Sequence, residues 1–220
     1  MNEPMKTRRE REKQARYDAI LDAAERVFFE KSYERTSMDD IARTASLSRA
    51  LLYVYFKDKA AIQRGIILRA GESLAARFEE ARSTADTGLA QITAMGEAYY
   101  RFYLDEPDYF SALTTASTAM AEADAEQAEE MLCSKAELMG LMIGAIRQGL
   151  EDGTMCRKRI VDPVQTAAYL RGALHGVILL CQLELDSAHN HGGENFSADA
   201  LIRHTMEMLT SSIANQQGQR

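Results

Sequence analysis

The side chains best suited to specific molecular recognition lie in a short segment that begins at Ser48. Arg49 carries a guanidinium that can donate two parallel hydrogen bonds to O6 and N7 of a guanine. Ala50 and Leu51 offer apolar surface that fits a thymine methyl group. These three residues are therefore the candidates for contacts to DNA bases. A guanidinium also binds phosphate oxygens, so a phosphate contact is the alternative role for Arg49.

A second set of side chains around this segment carries hydroxyl or ammonium groups, which can donate hydrogen bonds to a DNA phosphate. The hydroxyls of Thr36 and Ser37 stand at the start of a short predicted helix, where backbone N–H groups also face outward. Phosphate contacts hold a protein in register on a duplex without reading its sequence. The candidate phosphate contacts are Thr36, Ser37, Ser48, Tyr53, Lys57 and Lys59.

Two short helices joined by a tight turn would position these groups. In residues 38–59 a first helix has Ile41 and Ala42 on its inner face, residues 46–48 break it, and a second helix turns Leu52 inward. Because Ala42 is small, the two helices can cross closely. This arrangement is typical of the helix-turn-helix motif, whose second helix enters the major groove of DNA.

The segment YERTSMDDIARTASLSRALLYVYFKDKAAI resembles the N-terminal domain of the TetR-type (tetracycline-repressor-like) transcriptional regulators. The match is ordered from roughly Tyr17 to Leu68. The resemblance implies an N-terminal three-helix helix-turn-helix domain followed by a helical ligand-binding and dimerisation domain. The matching positions are Thr36, Ser37, Ile41, Ala42, Ala45, Leu47, Ser48, Leu52, Tyr53, Tyr55, Phe56 and Lys59.

Two departures from the family pattern affect the proposed contacts. The usual glycine of the turn is Ser46, which must adopt a turn conformation that glycine adopts more easily. The common Gly-Thr pair before Leu-Tyr is Ala50-Leu51. The hydroxyl lost at Leu51 removes a polar contact, and an apolar contact to a thymine methyl is the natural substitute.

Charge is distributed unevenly along the chain. Its N-terminal part carries the net positive charge, which favours contact with DNA. Residues 1–64 carry 14 Lys or Arg and 11 Asp or Glu, a net charge of +3, whereas the whole chain is at −7. This segregation indicates an N-terminal DNA-binding segment. The first basic residues could form an arm along the DNA backbone or in a minor groove, or could be the frayed, solvated start of the first helix. They are Lys6, Arg8, Arg9, Arg11, Lys13 and Arg16.

The rest of the chain is predicted to be helical. Proline is scarce, at 3 of 220 residues, and helix-favouring Ala, Leu, Glu and Met abound. No run with the period of a strand, no internal repeat and no glycine-rich phosphate loop is present. We therefore predict an all-α protein of two domains. Residues 1–64 form the helix-turn-helix domain with its basic arm, and residues 65–220 form the helical ligand-binding and dimerisation domain.

By the family resemblance, the second domain binds a small molecule and thereby changes the separation of the two DNA-binding domains. Methionine adapts to varied apolar shapes, so methionine and aromatic side chains could line a pocket for a small apolar or amphipathic effector. At helical spacing the same residues could equally be ordinary core. The candidate pocket residues are Met95, Tyr99, Phe102, Tyr103, Phe110, Met120, Met139, Met142 and His175.

Small residues late in the chain suggest a helix–helix interface. Gly172 and Gly176 are one turn apart, and this region resembles the start of the dimer helices of TetR-type proteins. Two helices from each of two chains would form a four-helix interface, or they could pack inside one chain. A two-fold homodimer would place its recognition helices about 34–36 Å apart on a palindromic operator. The candidate interface residues are Gly172, Gly176, Ile178, Leu201 and Met208.

No catalytic centre, metal site or cofactor is predicted. His189 and His191 lie two apart in a glycine-rich segment without further ligands at suitable spacing, so a solvated loop is expected there. Cys133, Cys156 and Cys181 are odd in number and widely spaced, as suits a reducing cytoplasm. Because no apolar run reaches the length of a bilayer span and no signal peptide is evident, we expect a cytoplasmic protein without a membrane segment.

These observations favour a ligand-responsive DNA-binding transcriptional regulator, with repression implied by the family resemblance. One alternative is an architectural or cell-cycle factor of the same fold that a protein partner controls. A second is a helical-bundle enzyme or carrier with a lapsed DNA reader, which the basic arm and the intact segment 48–56 disfavour.

Overall fold

The computed structural model describes residues 8–114, 123, 125–186 and 197–215. Over these ranges it contains nine α-helices and no strand beyond an isolated antiparallel bridge between Met155 and Ala214. The predicted all-α fold is therefore confirmed. The helices are α1 (Arg8–Lys31), α2 (Met38–Thr44), α3 (Arg49–Tyr55), α4 (Lys59–Ser83), α5 (Gly88–Asp105), α6 (Pro107–Thr114), α7 (Ala125–Glu151), α8 (Pro163–Asp186) and α9 (Ala198–Ile213).

The described residues fall into two compact units. The first comprises those of Met1–Ala70 together with those of Glu106–Leu132, and the second comprises those of Gly71–Asp105 and Cys133–Arg220. The first unit thus contains α6 as well as the helix-turn-helix segment. From the sequence we predicted one boundary, between residues 64 and 65, that separates a DNA-binding domain from a ligand-binding and dimerisation domain. This division of function stays a prediction.

The first unit is built around a core that α1 to α4 supply. Tyr17 of α1 stacks on Phe56, with ring centroids 4.8 Å apart, and Tyr55 packs against the same core. Tyr55 and Phe56 therefore stabilise the motif from inside. The buried members of this core are Ile20, Leu21, Ala24, Ile41, Ala42, Leu52, Phe56, Ile62 and Ile66.

The turn between α2 and α3 has the geometry that its sequence requires. Ser46 takes a left-handed conformation with φ of 55°, so the serine does bear the conformation for which glycine is usual. The N–H of Leu47 donates to the carbonyl of Ala42 at 2.9 Å, which closes the turn. Ser48 caps α3, since its Oγ accepts from the N–H of Leu51 at 3.2 Å.

The N-terminal basic residues that the structure describes belong to α1. Arg8, Arg9, Arg11, Lys13 and Arg16 are all exposed along this helix. Arg8 pairs with Glu12 at 2.8 Å, a contact within the helix itself. These five residues are therefore part of α1, and Lys6 lies outside the described residues.

The second unit depends on a very close approach between α5 and α7. Gly88, the first residue of α5, lies against the backbone of Gly149 and the carbonyl of Ala145. A Cβ built on Gly88 would lie less than 3.0 Å from these backbone atoms. Only glycine fits at this position.

The segment Asp152–Thr154 joins three distant parts of the second unit. The N–H of Gly88 donates to Oδ2 of Asp152 at 2.8 Å, and that of Leu89 donates to Oγ1 of Thr154 at 3.3 Å. From the other side, the N–H of Asn215 donates to the carbonyl of Thr154 at 2.9 Å. The segment therefore holds the start of α5 and the end of α9 together.

Candidate nucleic-acid interface

The outward face of α3 carries four side chains, those of Arg49, Ala50, Tyr53 and Val54, and Lys57 follows just after the helix. Arg49, Ala50 and Lys57 are exposed, while Tyr53 is 43% exposed and Val54 is 76% exposed. Arg49 and Ala50 are thus exposed, and their contacts with DNA bases stay predictions. Leu51 is half-buried, because it lies on a different side of the helix from Arg49. Its apolar contact with a base stays a prediction.

Val54 is a candidate contact that sequence reasoning missed. It follows Ala50 by one helical turn, so both side chains emerge on the same side of α3. An apolar side chain in a short helix is usually assigned to the core, whereas this one is largely exposed. Its position one turn from Ala50 was the signal that could have identified it. It provides the kind of surface that contacts a thymine methyl group.

Arg49 is held by two neighbours. Its Nη1 lies 3.1 Å from Oδ2 of Asp39, at the start of α2, and its guanidinium carbon lies 5.6 Å from the ring centroid of Tyr53. Its pKa is raised by the hydrogen bond to the Tyr53 hydroxyl and, next, by the charge of Asp39. The guanidinium is therefore charged and oriented before any DNA is bound.

Two of the predicted phosphate contacts are helix caps. Ser48 accepts a hydrogen bond through Oγ, and its hydroxyl proton has no acceptor among the described residues, so it can still face a phosphate. Ser37 caps α2 in a capping box, where its Oγ donates to Oδ2 of Asp40 at 2.7 Å and its N–H donates to the same atom at 3.1 Å. A phosphate at Ser37 would have to displace Asp40. The hydrogen bond from Lys31, with those from Ser37, holds the pKa of Asp40 well below its usual range.

Thr36 cannot contact a phosphate through its hydroxyl in this structure. The residue is buried, and its Oγ1 donates to the carbonyl of Ser32 at 2.8 Å. The prediction for Thr36 is therefore wrong, because its hydroxyl closes the loop between α1 and α2. The sequence alone does not show whether the side chain of a threonine just before an N-cap points to solvent or into the fold.

Lys59 also has a structural role that the sequence did not suggest. Its Nζ donates to the carbonyls of Tyr33 at 2.6 Å and Thr36 at 2.8 Å, and it lies 4.3 Å from the Tyr33 ring centroid. Its ammonium therefore braces the loop before α2, and its assignment as a phosphate contact is corrected accordingly. Lys57 is exposed and keeps that assignment as a prediction.

Lys59→Met is expected to lower the free energy of unfolding by about 1–2 kcal/mol, because hydrogen bonds from a charged donor to backbone carbonyls are lost. Lys57→Met, the matched control, removes the same charge from an exposed side chain and should change stability by less than about 0.5 kcal/mol. Urea denaturation followed by circular dichroism measures both. Equal stability of the two variants would contradict the bracing role.

Several predicted pocket residues lie together in the second unit. Met95, Tyr99 and Phe102 of α5 are buried, and the Tyr99 hydroxyl lies 2.7 Å from Nδ1 of His175 on α8. Burial raises the pKa of the Tyr99 hydroxyl and lowers the pKa of His175, whose charged form the nearby Arg171 also disfavours. This neutral pair is a polar feature among apolar side chains.

The other predicted pocket residues are more scattered. Met142 is buried on α7, whereas Met139 and Tyr103 are half-buried. Phe110 is buried but belongs to the first unit, and Met120 lies outside the described residues, as do His189 and His191. Whether this set binds an effector stays a prediction.

A cavity of about 380 Å³ opens in the second unit at a different place. It lies along the first half of α5 and reaches one residue of α9. None of the predicted pocket residues lines it. Its lining residues are Thr87, Leu89, Ala90, Thr93, Ala94, Glu97 and Thr210.

The outward face of α8 is mostly apolar, with Gln165 and Arg171 as exposed polar side chains. Val164, Tyr169 and Leu180 are each about half exposed, and a Cβ built on Gly172 or Gly176 would meet no atom within 4 Å. By length and composition alone Pro163–Gln182 is apolar enough to cross a bilayer, and α8 packs on α9. Exposed apolar surface of this kind is typical of interaction sites.

Two predicted interface residues require comment. Ile178 is fully buried within its own chain, on the opposite side of α8 from Gly176, so its prediction as an interface residue is wrong. It stabilises the unit from inside. Met208 of α9 is 59% exposed and Leu201 is half-buried, so both can still contact a partner.

Comparison with family models gives two matches that together cover most of the chain. Residues 20–64 match the model of bacterial regulatory proteins of the tetR family. Residues 92–209, more than half of the chain, match the model of the tetracyclin repressor-like C-terminal domain. The first match contains α2 and α3, and the second contains α8 and most of α9.

Curated relatives are similar over shorter stretches. The HTH-type transcriptional activator FasR of Mycolicibacterium smegmatis is 29% identical over 83 residues, 38% of each chain. The biofilm operon icaADBC HTH-type negative transcriptional regulator IcaR of Staphylococcus aureus is 42% identical over 45 residues, 20% of this chain and 24% of that one. The chain thus matches less than two fifths of the length of these two relatives, one an activator and the other a negative regulator.

Solved structures show the same fold over nearly the whole chain. FadR of Bacillus subtilis, in complex with stearoyl-CoA, is similar with a TM-score of 0.69 and 17% identity, over 90% of this chain and 99% of that one. SmeT, the repressor of the Stenotrophomonas maltophilia multidrug efflux pump SmeDEF, gives a TM-score of 0.68 and 18% identity over 91% of each chain. At these identities the likeness concerns the fold alone.

Proposed function

The chain belongs to the tetR family of bacterial regulatory proteins, and from that premise we propose that it is a dimeric, ligand-responsive repressor that a small molecule releases from a palindromic operator. Its general function, transcription regulation through a DNA-binding helix-turn-helix, follows from the family. The observation that supports sequence-specific reading is the outward face of α3, where Arg49 is exposed, charged and oriented. The proposal includes neither an enzymatic activity nor membrane attachment. It places the protein in the cytoplasm.

Dimerisation is supported by the exposed apolar face of α8. Gly172 and Gly176 leave open space on that face, and Met208 adds exposed apolar surface on α9, which packs on α8. A second copy of the same face would cover it through a two-fold axis, and the four helices would then bury the apolar side chains of both chains. One helix-turn-helix contacts only a few base pairs. A dimer brings two of these motifs to the DNA and therefore recognises a longer operator.

Release by a small molecule is the least direct part of the proposal. The apolar residues around Tyr99 and His175 suit an apolar or amphipathic effector with one polar group. FadR of Bacillus subtilis was solved with stearoyl-CoA, an amphipathic molecule. The effector must bind more tightly to one spacing of the two DNA-binding domains than to another, because only a difference in affinity shifts the equilibrium.

Selection of bound sites from a random DNA pool at two salt concentrations tests the function. We expect a palindrome whose half-sites are about one helical turn apart, and an affinity that falls as salt rises. Recovery of no motif, with binding lost at moderate salt, would contradict a sequence-specific regulator. Release of the selected site by a protein partner but by no small molecule would support the alternative of a factor under partner control.

A further inference from the structure

Asp39 is placed to influence how Arg49 contacts DNA. It lies in the first turn of α2, ten residues before Arg49, and its Oδ2 is 3.1 Å from Nη1 of Arg49 at the start of α3. The two side chains are 53% and 61% exposed, so the pair faces solvent. The ion pair therefore bridges the two helices of the motif on the side where the outward face of α3 begins.

An exposed ion pair of this kind contributes little to folding stability, because water and salt screen it and two long side chains must be ordered. Its larger effect is on the orientation of the guanidinium. The carboxylate holds Nη1, and the ring of Tyr53 lies 5.6 Å from the guanidinium carbon. Between these neighbours Arg49 loses much of the rotamer freedom that an exposed arginine keeps.

A guanidinium has five N–H donors in a planar fork, so one carboxylate contact leaves donors for a bidentate bond to a guanine edge. The carboxylate also repels the phosphates that would otherwise attract Arg49 on any DNA sequence. On these grounds, and resting on the proposed function, we propose that Asp39 is a specificity-determining positioning residue. It orients Arg49 toward the base edge and disfavours its contact with the backbone.

The proposal predicts that removal of the Asp39 charge changes two affinities, for the operator and for random-sequence DNA, in opposite directions. Asp39→Asn keeps the shape of the side chain and removes its charge. Affinity for the selected operator is expected to fall, because Arg49 is less well oriented, whereas affinity for random-sequence duplex is expected to rise, because the repulsion of phosphate is lost. The ratio of the two affinities should fall about tenfold, the size of one bidentate base contact.

The control is Glu34→Gln, which removes one negative charge from another exposed residue of the same unit. It should raise both affinities together and leave their ratio unchanged. Fluorescence anisotropy with the operator and with random duplex, at three salt concentrations, measures all of these quantities. An equal fall in the ratio for Asp39→Asn and Glu34→Gln would overturn the proposal, because the effect would then arise from net charge alone.

A double-mutant cycle with Arg49→Ala tests whether Asp39 acts through Arg49. In the Arg49→Ala background, Asp39→Asn should leave the specificity ratio unchanged, and an effect of full size there would overturn the proposal. Failure of the wild type to select any motif would instead contradict the proposed function. A wild type that selects a palindrome, beside an Asp39→Asn variant of unchanged specificity, would reject the role of Asp39 alone.

Discussion

Gly88→Ala is expected to destabilise the second unit by at least about 3 kcal/mol, a large part of the stability of a typical domain. The added methyl would overlap the backbone of Gly149 and the carbonyl of Ala145, neither of which can move aside by a rotamer change. The N–H of Gly88 also donates to Asp152 at 2.8 Å, so α5 cannot withdraw without losing that bond. Relief of the overlap therefore requires a shift of α5 against α7.

Gly140→Ala is the matched control for this substitution. Gly140 lies on α7 with no atom within 4 Å of a built Cβ, so the same chemical change creates no overlap. Because alanine favours a helix more than glycine does, this variant should be about 0.5–1 kcal/mol more stable than the wild type. Thermal and urea denaturation of both variants measure the difference. A Gly88→Ala protein as stable as the wild type would show that the close approach of α5 to α7 does not exist.

Gly172→Glu is expected to convert the proposed dimer to a monomer and to weaken operator binding by about a hundredfold or more. A carboxylate on the outward face of α8 would be buried against its copy across the two-fold axis, where it has no partner. Loss of the dimer removes the second half-site contact and the high effective concentration that comes with it. The fold of each chain should persist, because the side chain of residue 172 would project into open space.

Gly140→Glu controls for the added charge and for the cost of changing an exposed helical glycine. Sedimentation equilibrium gives the oligomeric state of each variant, and anisotropy with the selected operator gives its affinity. We expect the Gly140→Glu variant to remain dimeric. A Gly172→Glu protein that stays dimeric with full operator affinity would contradict the interface on α8.

Local chemistry in the sequence was a good guide to the helix-turn-helix. The cap at Ser48 and the left-handed turn at Ser46 both follow from residue type and position, and both are present. Such features depend on atoms within a few residues of one another. Val54 could also have been found in this way, because its distance of one turn from Ala50 determines its side of the helix.

Long-range contacts could not be read from the sequence in the same way. The ammonium of Lys59 reaches carbonyls more than twenty residues earlier, and the pairing of Asp39 with Arg49 depends on the angle between two helices. The burial of Ile178, by contrast, could have been predicted from the sequence. Ile178 lies two residues after Gly176, about 160° away around the helix axis, so helical periodicity alone would have placed it on the face opposite Gly176.

The segment Asp152–Thr154 also affects the order in which the chain can fold. Its hydrogen bonds reach back 64 and 65 residues to the start of α5 and forward to Asn215 at the end of α9. Contacts of such large sequence separation form late, because the entropy of closing long loops must be lost before they stabilise anything. During synthesis this junction can close only after residue 215 has left the ribosome. The apolar face of α8 is made before that point, so the nascent chain exposes this surface before α9 can complete the unit.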